Sequence, residues 1–255
     1  MSAAILSAAT VADAIARLRE RAARVHSLTN SVAETFTANV LLAAGAIPSM
    51  TINRDEVPHF VAGADALLVN VGTMYPRFTE AAEIGVETAR RHRKPWAFDP
   101  VFVDRSPPRL AFAKSLLAQE PAIVRANRQE LAALIGAEGG DEAAERFAAE
   151  HGFVVARTGP IDLVTDGTRS VRVANGHPYM AKVTAVGCAV TALMAGFAAV
   201  GQDPLLAAAS CLVTAGIAGE MAAEKAQGPG SFVPAFLDAL HLMGPADIAA
   251  RMRLS

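Results

Sequence analysis

The chain has 255 residues, of which 52% are hydrophobic and 19% charged, with a formal net charge of −2. Apolar content this high and charge this low exclude a disordered chain, and the absence of a basic excess argues against binding nucleic acid through its phosphates. The length is ample for a buried core, and its 55 alanines predict many helices in close contact.

No repeat, low-complexity linker or composition break divides the chain, so a single domain over residues 1–255 is expected. Met1 to Glu20 lacks a basic opening and soon meets Asp13, Arg17, Arg19 and Glu20, which does not read as a signal peptide. Arg24 to Leu28 reads as a strand. Ser31 to Ala44 reads as a helix, with Ser31 and Glu34 at capping-box spacing and Gly45 as its stop. Ile47 to Ile52 is a second strand candidate, and the apolar run Ala66 to Val71 is typical of a buried parallel strand. Pro76 to Arg93 is helical, and Trp96 to Phe98 is a short strand ending at Asp99-Pro100.

A helix opens near Ser106, with Pro107 suited to its first turn. Ala122 to Arg125 is the next strand, and Asn127 with Glu130 again has the spacing that opens a helix. Asp141 to Glu150 is helical and Phe153 to Arg157 is a strand. Asp162 to Asp166 and Ser170 to Ala174 form a hairpin around Asp166-Gly167. Gly187 to Val200, Asp203 to Ala226 and Ser231 to Leu242 are helices, with Gly228 to Ser231 joining the last two. The most apolar segment, Ala185 to Val200, is too short and Gly-interrupted to span a bilayer, so no membrane partner is expected. The order is alternating β/α, then a hairpin, then a helical C-terminal third: an α/β sheet layered by helices.

Two cysteines, Cys188 and Cys211, exclude a disulfide framework and suit a reducing cytoplasm, and no CxxC or HExxH pattern offers a zinc site. In open α/β sheets ligands bind beyond the carboxyl ends of the strands. The polar residues that follow strands here are Asn30, Met50-Thr51, Gly72-Thr73, Asp99, Arg125 with Asn127, and Thr158-Gly159. Neither phosphate-binding fingerprint, GxxxxGK[ST] or GxGxxG, is present. The best anion cradle is Lys182 to Thr191, whose small residues lead into a helix beginning near Gly187. Cys188 sits at that helix start, where the dipole lowers a thiol's pKa, or it is a small buried hydrophobe. Asp99 is a Mg²⁺ or water-polarising carboxylate, or a turn aspartate. Glu130 is a second carboxylate near the metal, a helix cap, or both. Arg125 suits a phosphate or a surface ion pair. Cys211 reads as a core residue, His26 as a satisfied strand residue and His177 as a turn or strand residue.

Segments along the chain then resemble the hydroxyethylthiazole kinase family: VHSLTNSV (25–32), GAIPSM (45–50), LLVNVGT (67–73), FDPV (98–101), VRANRQE (124–130), ARTGPIDLVTDG (156–167), NGHPYMAKVTAVGCAVTAL (175–193), GIAGEMAAE (216–224) and GPGSFVPAFLDAL (228–240). They run in order from about residue 24 to 242. The resemblance implies a ribokinase-like fold, a central mostly parallel sheet with helices on both faces. It implies phosphorylation of 4-methyl-5-(2-hydroxyethyl)thiazole by ATP with Mg²⁺ in thiamine biosynthesis or salvage. It also implies a cytoplasmic homotrimer with active sites between subunits.

Residue by residue, the resemblance implies that Cys188 helps activate the substrate hydroxyl and that Gly187 belongs to the anion hole. Arg125 and Thr158, with Gly187, take nucleotide positions. Asp99 and Glu130 form the acidic pair near Mg²⁺. Asn30, Val32, Met50, Gly72, Thr73 and Ala185 take the substrate side. Several features depart from the family, among them Tyr75-Pro76 after Gly72-Thr73 and a shorter connection from Arg125 to Thr158. Phe102 to Ser106 replaces a small-residue run, and Ala185 replaces a glycine. These departures keep open two alternatives: a kinase for a different small heterocyclic alcohol, or a catalytically weak nucleotide- or thiazole-binding homologue.

Overall fold

The computed structural model describes residues 5–201 and 203–255. Met1 to Ala4, where the N-terminal segment discussed above begins, and Gln202 lie outside the described residues. In chain order the helices are α1 (Ala8–Arg21), α2 (Glu34–Ala44), α3 (Val57–Gly63), α4 (Pro76–Arg91), α5 (Pro107–Leu117), α6 (Arg128–Ile135), α7 (Asp141–His151), α8 (Val186–Val200), α9 (Pro204–Lys225), α10 (Pro229–Leu242) and α11 (Pro245–Arg251). The strands are β1 (Arg24–Leu28), β2 (Ile47–Ser49), β3 (Ala66–Asn70), β4 (Trp96–Asp99), β5 (Ile123–Asn127), β6 (Val154–Thr158), β7 (Asp162–Thr165) and β8 (Ser170–Val173).

One sheet holds them all in the order β2-β1-β3-β4-β5-β6-β7-β8. Strands β2 through β6 pair in parallel, and β7 and β8 add as antiparallel neighbours. Successive side chains on a strand point to opposite faces. In β3, Ala66 and Leu68 join the core under α1, α2, α8, α9 and α10, while Leu67 and Val69 join the core under α3 to α7. The strands are apolar on both faces because both faces are covered. The fold class expected from the sequence is present, including the helical C-terminal third.

Several local expectations change. Ser31 and Glu34 form no capping box: residues 31–33 make a turn, Ala33 N–H donates to the Asn30 carbonyl, and α2 starts at Glu34 without a side-chain cap. Gly45 does end α2, at φ +94°. Strand β2 stops at Ser49, three residues short of Ile52, because it is an edge strand paired to β1 alone. Helix α10 begins at Pro229, so most of the Gly228–Ser231 joint is helical. Helices α1, α3 and α11 come without a sequence expectation. The Asn127–Glu130 capping box and the Ser106 cap of α5 form as expected.

Helix α9 is long and apolar enough, by length and composition, to cross a membrane. Its residues Leu205 to Gly219 instead lie mostly buried against the sheet and the neighbouring helices. His26 is buried as expected, with its ring nitrogens on Ser49 Oγ at 2.8 Å and the Thr51 carbonyl at 3.0 Å. Burial pushes its pKa down to about 4, so it stays neutral at neutral pH.

Candidate active site

Strand parity assembles the site. Asn70 follows Leu68 on alternate positions of β3, and Asp99 follows Ala97 on β4. Arg125 follows Ile123 on β5, and Thr158 follows Ala156 on β6. Each preceding residue belongs to the core beneath α8 and α9, so all four polar residues share that face. Each lies at or near the carboxyl end of its strand. Helix α8 packs on β1, β3 and β4 and brings its N-terminus to this edge.

The result is a buried polar cluster. Asn30 Nδ2 donates to Asn70 Oδ1 at 3.0 Å and to Cys188 Sγ at 3.4 Å. Asn70 Nδ2 donates to Asp99 Oδ2 at 2.7 Å. Thr191 Oγ1, one turn beyond Cys188 on α8, lies 2.9 Å from the same Asp99 oxygen and 3.0 Å from the Gly187 carbonyl. The Gly72 N–H donates to Asn70 Oδ1 at 3.0 Å. A Cβ on Gly72 would stand 2.8 Å from Asn30 Nδ2, so the close approach of this turn needs a glycine.

Asp99 is fully buried, and burial pushes its carboxyl up to about 6; the charge of Arg125 opposes that shift and the charge of Glu130 adds to it. Burial, and then the negative charge of Asp99, push the Cys188 thiol up to about 11, despite hydrogen bonds from Asn70 and Asn30 that favour the thiolate. The expectation that the α8 dipole lowers this thiol's pKa is therefore corrected: burial beside a carboxylate outweighs the helix terminus. Cys211 is buried on α9 and its thiol is raised further, which fits a core residue.

Arg125 makes no side-chain hydrogen bond among the described residues, and its Nε is buried without a partner. Its guanidinium lies against Gly187, 3.1 Å from where a Cβ would stand. An unpaired guanidinium beside the uncapped start of a helix is an anion-binding arrangement. Thr158 is the parallel neighbour of Asn127 on the next strand. Beyond it, Gly159 N–H donates to Asp162 Oδ1 at 2.8 Å.

Glu130 serves its helix and the β4–α5 loop together. Its Oε2 accepts from the Asn127 N–H and its Oε1 from the Phe102 N–H, both at 3.0 Å. Phe102 holds a left-handed backbone at φ +59° and is 47% exposed, with Arg105 stacked over its ring at 5.0 Å. Ala185 caps α8 in the same left-handed region, at φ +69°.

Mg²⁺ is usually held by one or two carboxylates together with substrate phosphates. Asp99 and Glu130 fit that demand. Both hydrogen bonds to Asp99 fall on Oδ2, and each Glu130 oxygen keeps a lone pair beyond its backbone donor. Among the described residues no cluster of three or more ligating side chains forms a metal cage.

Not every expected residue joins the cluster. Val32 is 67% exposed in the turn before α2, and Met50 follows the edge strand β2; neither is bonded into the network. Thr73 lies half-buried beside Gly72. A cavity of about 470 Å³ opens next to that turn, between Tyr75 at the start of α4 and Arg109 in the first turn of α5. A larger cavity, about 540 Å³, lies among Glu220, Glu224, Arg251 and Arg253, which pair with one another and include no expected site residue. Sequence reasoning missed Asn70 and Thr191. Asn70 was detectable as a polar residue ending an apolar strand, and Thr191 by its helical spacing from Gly187.

Residues 15–245 match the hydroxyethylthiazole kinase family. The chain is 44% identical over 254 residues to a probable hydroxyethylthiazole kinase of Agrobacterium fabrum, covering 100% of this chain and 98% of that one. Its fold is similar to the solved hydroxyethylthiazole kinase of Pyrococcus horikoshii, with a TM-score of 0.92, 36% identity, and coverage of 96% and 98% of the two chains. A ribokinase-like superfamily protein of Enterococcus faecalis shares the fold at a TM-score of 0.69 and 12% identity, over 92% of this chain and 94% of that one.

Proposed function

The chain belongs to the hydroxyethylthiazole kinase family and phosphorylates hydroxyethylthiazole, and from that premise we propose how its own residues carry out the transfer. ATP is the phosphoryl donor and 4-methyl-5-(2-hydroxyethyl)thiazole the acceptor, in thiamine biosynthesis or salvage. The observation that carries the assignment of roles is the unpaired Arg125 guanidinium against Gly187, with Cys188 next in sequence.

Phosphoryl transfer needs positioning and charge neutralisation more than covalent chemistry. Arg125 and the free N–H groups at the start of α8, around Gly187, bind phosphate oxygens, and Thr158 contacts the nucleotide. Asp99 and Glu130 would hold Mg²⁺, which when bound would neutralise phosphate charge. Asn30, Gly72, Thr73 and Ala185 bound the acceptor. Cys188 meets neutral pH as a thiol, which already carries its proton, so it positions the acceptor hydroxyl rather than acting as its base, and the hydroxyl proton leaves to the phosphate or to solvent.

A homotrimer with sites between subunits completes this reading. It is supported by the short edge strand β2, around which Leu42, Ile47 and Phe60 are exposed, and by the exposure of Val32. In that arrangement Val32 and Met50 line the substrate pocket at a subunit boundary. Light scattering tests it, and a monomer at all concentrations would exclude it. A cytoplasmic setting is consistent with two free cysteines.

The direct test is ADP release coupled to detection of the phosphorylated thiazole by mass spectrometry, with Mg²⁺ present. Absence of product from this alcohol would exclude it as the acceptor. The left-handed Phe102 and Ala185 favour one second reading, a different heterocyclic alcohol, which a panel of alcohols in the same assay separates.

A further inference from the structure

Asn70 has no role in the transfer described above, yet it ties three strand ends together. It is fully buried at the end of β3. Its Oδ1 accepts from Asn30 Nδ2 and from the Gly72 N–H, both at 3.0 Å, and its Nδ2 donates to Asp99 Oδ2 at 2.7 Å.

These bonds force orientations in sequence. A backbone N–H can only donate, so Gly72 determines which end of the Asn70 amide is oxygen. The Asn70 NH₂ group then faces Asp99 and also lies against the Cys188 sulfur. Asn30 must present its own NH₂ to Asn70 Oδ1, and that same nitrogen reaches Cys188 Sγ at 3.4 Å. Asn30 Oδ1 accepts no hydrogen bond among the described residues. It is the one amide atom of the Asn30–Asn70 pair left for a ligand.

We infer that Asn70 is a positioning residue: it holds Asn30 with its NH₂ on Cys188 and its carbonyl oxygen free to accept a hydrogen bond from the substrate hydroxyl. The inference rests on the roles given above to Asn30 and Cys188. It makes the thiol, the acceptor amide and the Asp99 carboxylate one unit, set by an amide that touches no substrate.

A double-mutant cycle on the full-length enzyme tests it, using Asn70→Asp and Cys188→Ala. An aspartate at position 70 still accepts from Asn30 and Gly72, but it replaces the amide donor to Asp99 with a second carboxyl, so the buried pair shares one proton and the hold on Asn30 is disturbed. Asn70→Asp is expected to lower kcat about tenfold in the parent enzyme and about twofold or less in the Cys188→Ala background. The loss is expected to fall more on kcat than on KM for the thiazole alcohol, and melting temperatures of the single and double variants separate a loss of fold from a loss of positioning.

Additive losses of kcat, with Cys188→Ala itself slowed, overturn the inference alone and leave the site reading standing. A Cys188→Ala enzyme with unchanged kcat overturns the site reading and the inference with it. If Asn70→Asp does not accumulate as folded protein, Asn70→Ser enters the same cycle, and the same outcomes decide.

Discussion

The guanidinium of Arg125 rests on Gly187 so closely that a methyl added there would meet Nη1 at 3.1 Å and Nη2 at 3.3 Å. Arg125 makes no side-chain hydrogen bond among the described residues, so it can swing away at little cost to the fold. Gly187→Ala should therefore leave stability within about 1 kcal/mol of the parent, since alanine also favours the helix. KM for ATP should rise about tenfold, the scale of one hydrogen bond to a charged group. Steady-state kinetics against ATP measures this, and an unchanged KM would separate Arg125 from nucleotide binding.

The Cys188 thiol, pushed up to about 11, should react slowly with iodoacetamide at neutral pH and faster as pH rises toward that value. Cys211 should stay unreactive in the native state because it is fully buried. Mass spectrometry of the alkylated protein would locate the label. Cys188→Ala should lower kcat by roughly ten- to a hundredfold and leave residual activity, because arginine, metal and backbone donors remain. Activity below detection in a folded variant would instead make Cys188 an essential base.

Asp99 links stability to pH in the unusual direction for a carboxylate. Its pKa is raised from 3.8 to about 6 by burial, so the folded state binds the proton more tightly than the unfolded chain. The stabilisation is complete below 3.8 and is lost as pH rises through about 6. Without Mg²⁺, the stability of the parent relative to Asp99→Asn should therefore fall between about pH 4 and pH 7. Urea denaturation across that range reads the difference, and a flat curve would contradict the burial argument.

Ala185 places a methyl-bearing residue at φ +69° where glycine would be free of strain. Ala185→Gly should stabilise the protein by up to about 1 kcal/mol, the strain relieved being partly offset by the greater freedom of glycine in the unfolded chain. It should also change KM for the thiazole alcohol more than KM for ATP if Ala185 borders the acceptor. Equal changes in both would place the methyl away from the substrate pocket.

Much of the fold was legible along the chain. Apolar runs bounded by turn residues located β1, β3 and β4, the Asp166-Gly167 turn located the hairpin, and the Asn127–Glu130 spacing produced the capping box it signals. These features depend on neighbours within a few residues. The Ser31–Glu34 spacing failed because the chain turns sharply at the end of β1, with Ala33 N–H bonded to the Asn30 carbonyl, and so delays the helix.

By itself the sequence determined the alternation of strands and helices, the family, and which polar residues end the strands. Only the tertiary structure decided what those residues do to one another. Asn30 and Cys188 are 158 positions apart, and Thr191 and Asp99 are 92 apart, yet both pairs are within hydrogen-bonding distance. Their protonation follows from that packing. Burial beside Asp99 raises the thiol that a helix terminus alone would lower, because removing charge from water outweighs a partial dipole. The composition could count two cysteines, but the depth of each, and the carboxylate beside one of them, came from the fold.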